Sequence, residues 1–214
     1  MNIRTKERRV IVAHNYNVEV VAYLTLLNNQ KIKSAAGGIV KNRYFIFRLT
    51  NKVDDSDTEI IYCGYRAGES LCSIAGINIP ARFNPLAVNH QNRNNFTAGN
   101  GSNSGNNRVV WDNTRKQLYD AVMLLISFLG DQNPDSFLFS IKSSLEETEH
   151  IGHPPSIKMI KAVNNVIHKI KKFNSLRDII NYLHKKGNNV RTFQFDLLIE
   201  KLNAEQIPEF FENN

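Results

Sequence analysis

The sequence of 214 residues holds no apolar run near the ~18 residues that a membrane-crossing helix needs. Five of its first nine residues are charged, and the run Val10 to Ala13 that follows them before His14 is too short for the apolar stretch expected of a secretion signal. Cysteine is scarce: Cys63 and Cys72 are the only two. Two thiols do not make a disulfide framework, and their spacing fits no zinc pattern. They can pair across neighbouring strands or stand as buried thiols, and buried thiols are the expectation. The localisation stays open. A glycine-rich phosphate loop is missing, and so is Gly-x-Ser-x-Gly. Gly101-Ser102-Asn103-Ser104-Gly105 follows no strand and is no nucleophile elbow. Acids are nearly missing from residues 151–192, where nine Lys/Arg face Asp178 alone.

What is present is ordinary globular material with a basic bias. Hydrophobic residues make up 42%, charged residues 22%, and the net charge is +7. Residues 1–43 carry eight Lys/Arg against Glu7 and Glu19, whereas the last 22 residues are acidic. Basic surfaces of this kind attract polyanions through long-range fields.

Periodicity predicts one α+β domain over residues 1–214. It divides into a strand-rich part (1–88), a flexible asparagine-rich loop (89–107) and a helical part (108–214). Val20, Val21, Leu24 and Leu27 predict a helix over 17–29. Strands are expected at 44–50, 59–65 and 70–79, with Arg66-Ala67-Gly68-Glu69 as a tight connection in an antiparallel meander. In the helical part, Asp112, Asn133-Pro134-Asp135, Ser156 and Ser175-x-x-Asp178 read as helix starts. The helix through Phe137 and Leu145 is expected to run on toward Gly152, before Pro154-Pro155.

Glu147 and His150 lie one helical turn apart and can face one metal, with Glu146, Glu149 and His153 nearby. A second Glu-x-x-His is missing, so the expectation is a polar helix end with no metal and no cofactor.

Four runs share an order and spacing. They are Arg43-Tyr44-Phe45-Ile46-Phe47-Arg48-Leu49-Thr50-Asn51, then Tyr62-Cys63-Gly64-Tyr65-Arg66-Ala67-Gly68-Glu69-Ser70, then Ser136-Phe137 with Glu146 ten residues after the serine, and Pro155-Ser156-Ile157. Together they resemble the ribosome-inactivating proteins, the RNA N-glycosylases of the ricin A-chain and Shiga-toxin A type. The resemblance covers about residues 15–170. It implies removal of one adenine from large-subunit ribosomal RNA, so the expected partner is the ribosome. It also implies two tyrosines that sandwich the base, a glutamate that stabilises charge on the ribose, and an arginine that stabilises the leaving adenine. Such a reaction builds an oxocarbenium-like centre, which a fixed carboxylate favours, on a base flipped between aromatic faces.

Carried over, Glu146 falls at the glutamate. Glu149 stands where the arginine would be, making an acid pair expected to share one helix face. The first tyrosine position is Ile61, with Tyr62 one residue away, and Trp111 stands nearest the second. The usual tryptophan after Pro-Ser is missing around Asn164 and Asn165. Arg66 and Arg115 are candidate substrate-binding cations, and a buried ion pair is the plainer expectation for Arg66. The rival reading is a basic RNA- or protein-binding protein without catalysis.

Overall fold

The computed structural model describes residues 1–87 and 110–212. The predicted loop at 89–107, and Arg108, lie outside the described residues. Among them the chain divides into two compact units, residues 1–84 and residues 85–87 with 110–212. The first unit holds all five strands together with two helices, and the second holds the other five helices among the described residues, which is mixed α+β content. No helix in the described residues is long and apolar enough to cross a membrane.

The first unit opens with α1 (Lys6–Asn15), whose N-cap Thr5 accepts a hydrogen bond from the Arg8 amide. This helix has no counterpart in the periodicity, because only Val12 of its ten residues is buried. Then comes β1 (Tyr16–Thr25), where a helix over 17–29 is predicted. The residues are β-branched and aromatic, and Val18 and Val20 alternate with exposed Asn17 and Glu19. A β-bulge between Val20 and Ala22 then shifts the phase. One inserted residue in a period of two puts apolar residues at 20, 21 and 24, which imitates helical spacing. After the short pair β2 (Ile32–Lys33) and β3 (Ile39–Val40) come β4 (Arg43–Asn51) and β5 (Thr58–Gly64). They form an antiparallel sheet in the order β1-β4-β5.

The predicted third strand is instead α2 (Tyr65–Ala75), with Gly64 as N-cap. Gly64-Tyr65-Arg66-Ala67-Gly68 is therefore a strand-to-helix junction and not a strand connection. Leu71 and Cys72 turn inward from this helix onto the sheet, where Phe45, Phe47 and Cys63 are wholly buried. Gly68 lies so close to Phe45 that a Cβ there would fall 2.2 Å from a ring carbon. Phe45 in turn stacks on Tyr23 at 4.1 Å.

Cys63 and Cys72 are unpaired buried thiols. Burial pushes Cys63 up to about 12, with the nearby Cys72 thiol adding to the rise, and pushes Cys72 up to about 11. In the unfolded chain both would ionise near 8.5. The folded state thus holds their protons longer, and the unfolded state gains by losing them as pH rises. Stability is expected to be full below about pH 8.5 and to fall progressively as pH rises toward 11–12. Both thiols are expected to resist a thiol-specific reagent in native protein at pH 8 and to react at once in denaturant. Fast native labelling would contradict this packing.

The second unit is built on α3 (Asn113–Leu129), whose residues from Ala121 to Ser127 are all buried. Gly130 ends it in the left-handed conformation, φ 63°. Around α3 pack α4 (Phe137–Glu146), α5 (Ile157–Lys169) and α7 (Asp196–Ala204). The remaining helix is α6 (Leu176–Lys185). Ser136, Ser156 and Ser175 cap α4, α5 and α6 through their side chains. Asn164 is buried on α5; it donates to the Pro208 carbonyl and accepts from the Phe210 amide, which ties the closing segment down.

Candidate functional site

The candidate site is where the start of α3 meets the end of α4. Asp112 caps α3, accepting from the Arg115 amide at 2.9 Å. That fixes Trp111 just outside the helix, and its ring lies 5.0 Å from that of Tyr119, tilted by 58°. Arg115 and Tyr119 are four residues apart on α3, one turn, so both side chains leave the same face. Both reach the last turn of α4.

Arg115 is 5% exposed and meets backbone carbonyls. Its Nε donates to His153 O at 2.8 Å, and one terminal nitrogen donates to Ser144 O and Leu145 O at 3.1 and 3.2 Å. The last carbonyls of a helix have no partner within it and carry the negative end of its dipole. The guanidinium satisfies two of them with full charge.

One turn along, the Tyr119 hydroxyl donates to Glu146 Oε1 at 2.9 Å. Lys142 Nζ donates to the other carboxylate oxygen, Oε2, at 2.6 Å. Lys142 is four residues before Glu146 and its side chain is 7% exposed, whereas that of Glu146 is 38% exposed. The carboxylate is thus gripped from the protein side and open on the other. Burial raises the Tyr119 phenol far above its usual range, and the Glu146 charge and the hydrogen bond to it add to the rise. The phenol therefore stays protonated and remains a donor to Glu146 across the physiological range. Lys116 Nζ sits 5.2 Å over the Tyr119 ring and donates to Asp120 at 2.6 Å.

The helix stops at Glu146, with Glu147 as C-cap. Glu149 therefore lies in the following turn, exposed, and does not share a helix face with Glu146 as predicted. Glu147 and His150 are 3.8 Å apart and exposed. No group of three or more His, Cys, Asp or Glu among the described residues is placed to hold a metal ion.

Tyr62 and Arg66 belong to the first unit. Tyr62 sits on β5 opposite Ile46 and is half-buried. Arg66 is exposed in the first turn of α2, not buried in an ion pair. The more engaged residue of that run is Tyr65. Arg43 lies 3.7 Å over its ring, and its hydroxyl donates to Glu69 at 2.6 Å, which raises its pKa.

Glu146, Trp111 and Arg115 are thus assembled on one unit, joined by two residues that sequence reasoning missed, Tyr119 and Lys142. The signal for Lys142 is its i, i+4 spacing to Glu146. Tyr119 carried none, since its partner is 27 residues away. Comparison with known protein families, with characterised proteins and with solved structures gave no match.

Proposed function

We propose that the chain is an RNA N-glycosylase of the ribosome-inactivating type, acting through Glu146. One observation carries this reading: a carboxylate held on both oxygens by Tyr119 and Lys142 and open on its outer side, next to the tilted Trp111–Tyr119 ring pair. The C1′–N9 bond of an adenosine breaks, water adds to C1′, and adenine leaves with a proton. Positive charge grows on the ribose along the way. A carboxylate that is already fixed stabilises that charge without reorganising. Trp111 offers a face to the flipped base.

The resemblance places a cation three residues after the glutamate; here the cation at the carboxylate comes from one turn before it and holds Glu146 from the buried side, which positions the carboxylate rather than meeting the adenine. Positions four before and three after a helical residue lie on the same side of the helix. Lys142 is there, with its ammonium at the carboxylate. Arg115 is buried, and its Nε and one terminal nitrogen hold carbonyls beneath the helix end.

The test is release of free adenine from purified ribosomes, read by chromatography, with a diagnostic break of the depurinated large-subunit RNA by aniline. Release that disappears in Glu146→Ala supports the reading. No release from ribosomes or from naked ribosomal RNA overturns it and leaves a basic protein that binds without cleaving.

A further inference from the structure

We infer that the second unit carries a separate binding surface for single-stranded RNA, formed by α6 and the turn before it. Between His168 and Gly187 the sequence has six Lys/Arg against Asp178 alone. Lys169, Lys171, Lys172, Lys185 and Lys186 are all exposed. Of the six, Arg177 is paired with a carboxylate, that of Glu212.

Charge alone would describe a solvated face. The second observation is what stands among the lysines. Phe173 and Tyr182 meet edge-on at 5.3 Å, and Phe128 meets them at 5.6 and 6.4 Å. All three rings are half-buried, so each keeps an edge or face at the surface. Lys172 Nζ lies 4.9 Å from the Tyr182 centroid and 5.9 Å from that of Phe173, and Lys186 Nζ lies 5.6 Å from Tyr182. These are exposed ammonium groups over rings, a weak contact that a phosphate readily replaces. When the lysines move to phosphates, the rings are left for bases. Interleaved cations and aromatic faces are the combination that single strands require.

An anionic membrane is the other polyanion to consider. Leu176, Ile179, Ile180 and Leu183 of α6 are all buried, so no aliphatic face is left to enter lipid. Duplex nucleic acid offers phosphates but no free base faces.

The surface is independent of Glu146, and the probe keeps it so. The full chain is titrated into a fluorescent oligouridylate of about 12 nucleotides, within the range of single-strand sites. It contains no adenine, so its binding is untouched if the glycosylase reading fails. The triple variant Lys171→Glu, Lys172→Glu, Lys186→Glu is expected to bind at least about tenfold more weakly. Its slope of log affinity against log salt should be lower by about 2, from three lost phosphate contacts at roughly 0.7 each. Tyr182→Leu is expected to weaken binding roughly fivefold or more, with the salt slope unchanged. Circular dichroism of each variant confirms that it is folded. Unchanged affinity in the folded triple variant overturns the inference. So does tighter binding to duplex RNA or to phosphatidylserine vesicles than to the single strand.

Discussion

Glu146→Ala is expected to lower adenine release from ribosomes by about 10²–10³-fold while leaving the fold intact. Glu146 is the last residue of α4, and its side chain is more than a third exposed. No core packing depends on it. Its loss does leave the buried Lys142 ammonium without its carboxylate, so thermal stability should be measured alongside activity. Glu146→Gln separates the two effects. An amide keeps the shape, with its oxygen accepting from Lys142 and its nitrogen donating to the Tyr119 hydroxyl, but it carries no charge to set against the ribose. It should be nearly as inactive as alanine and more stable. Tyr119→Phe should cost less, roughly tenfold, because Lys142 still holds one carboxylate oxygen while the hydroxyl's share of the positioning is lost. An active Glu146→Gln variant would show that the negative charge is not what drives the reaction.

Gly68→Ala is expected to destabilise the first unit by about 2–3 kcal/mol, although alanine favours a helix over glycine by about 1 kcal/mol. The reason is space. The new Cβ would meet Phe45 at 2.2, 2.8 and 2.8 Å. That ring cannot retreat, since it is wholly buried and lies flat against Tyr23 with only 3° between the planes. Urea unfolding reads the loss, and the melting temperature should fall by roughly 2–4 °C per kcal/mol. Pairing the change with Phe45→Leu should recover part of it, because the obstructing ring is gone, so the two effects should be less than additive. A neutral or stabilising Gly68→Ala would mean that α2 does not press on the sheet as described.

The two halves of the sequence were not equally legible. In the helical half most local signals and the fold agree, with the bounds of α4 as the exception. Asp112, Ser156 and Ser175 each accept a backbone N–H as helix caps, and Gly130 ends α3, whereas α4 is capped by Ser136 and not started by Asn133. In the first half the strongest periodic signal misleads, because the bulge in β1 breaks the alternation that marks a strand. α1 was invisible for the opposite reason, since a helix that buries one residue has almost no apolar stripe. Gly68 was read as a turn glycine, whereas its role is contact across the sheet, which no local pattern encodes. Around the candidate site, Glu146 was found through the resemblance. The place of Glu149 was missed because Pro154-Pro155 marks only the far limit of the segment, and α4 ends eight residues before it. Arg115 was noticed as a cation, but its carbonyl partners come from segments about 30 and 38 residues away.

Trp111 is the only tryptophan in the chain. Its ring is 5.0 Å from Tyr119, and Tyr119 bonds Glu146. Intrinsic fluorescence excited on the red edge therefore arises from the candidate site alone, with no labelling and no background from elsewhere in the molecule. Tyrosine emission from Tyr119 should be drained into the indole by energy transfer at this range. A base that slides onto the indole should quench the signal, and removing the Tyr119 hydroxyl should shift it. Occupancy of the site can thus be followed by light, in a stopped flow and on the unmodified protein, even under conditions where no chemistry occurs.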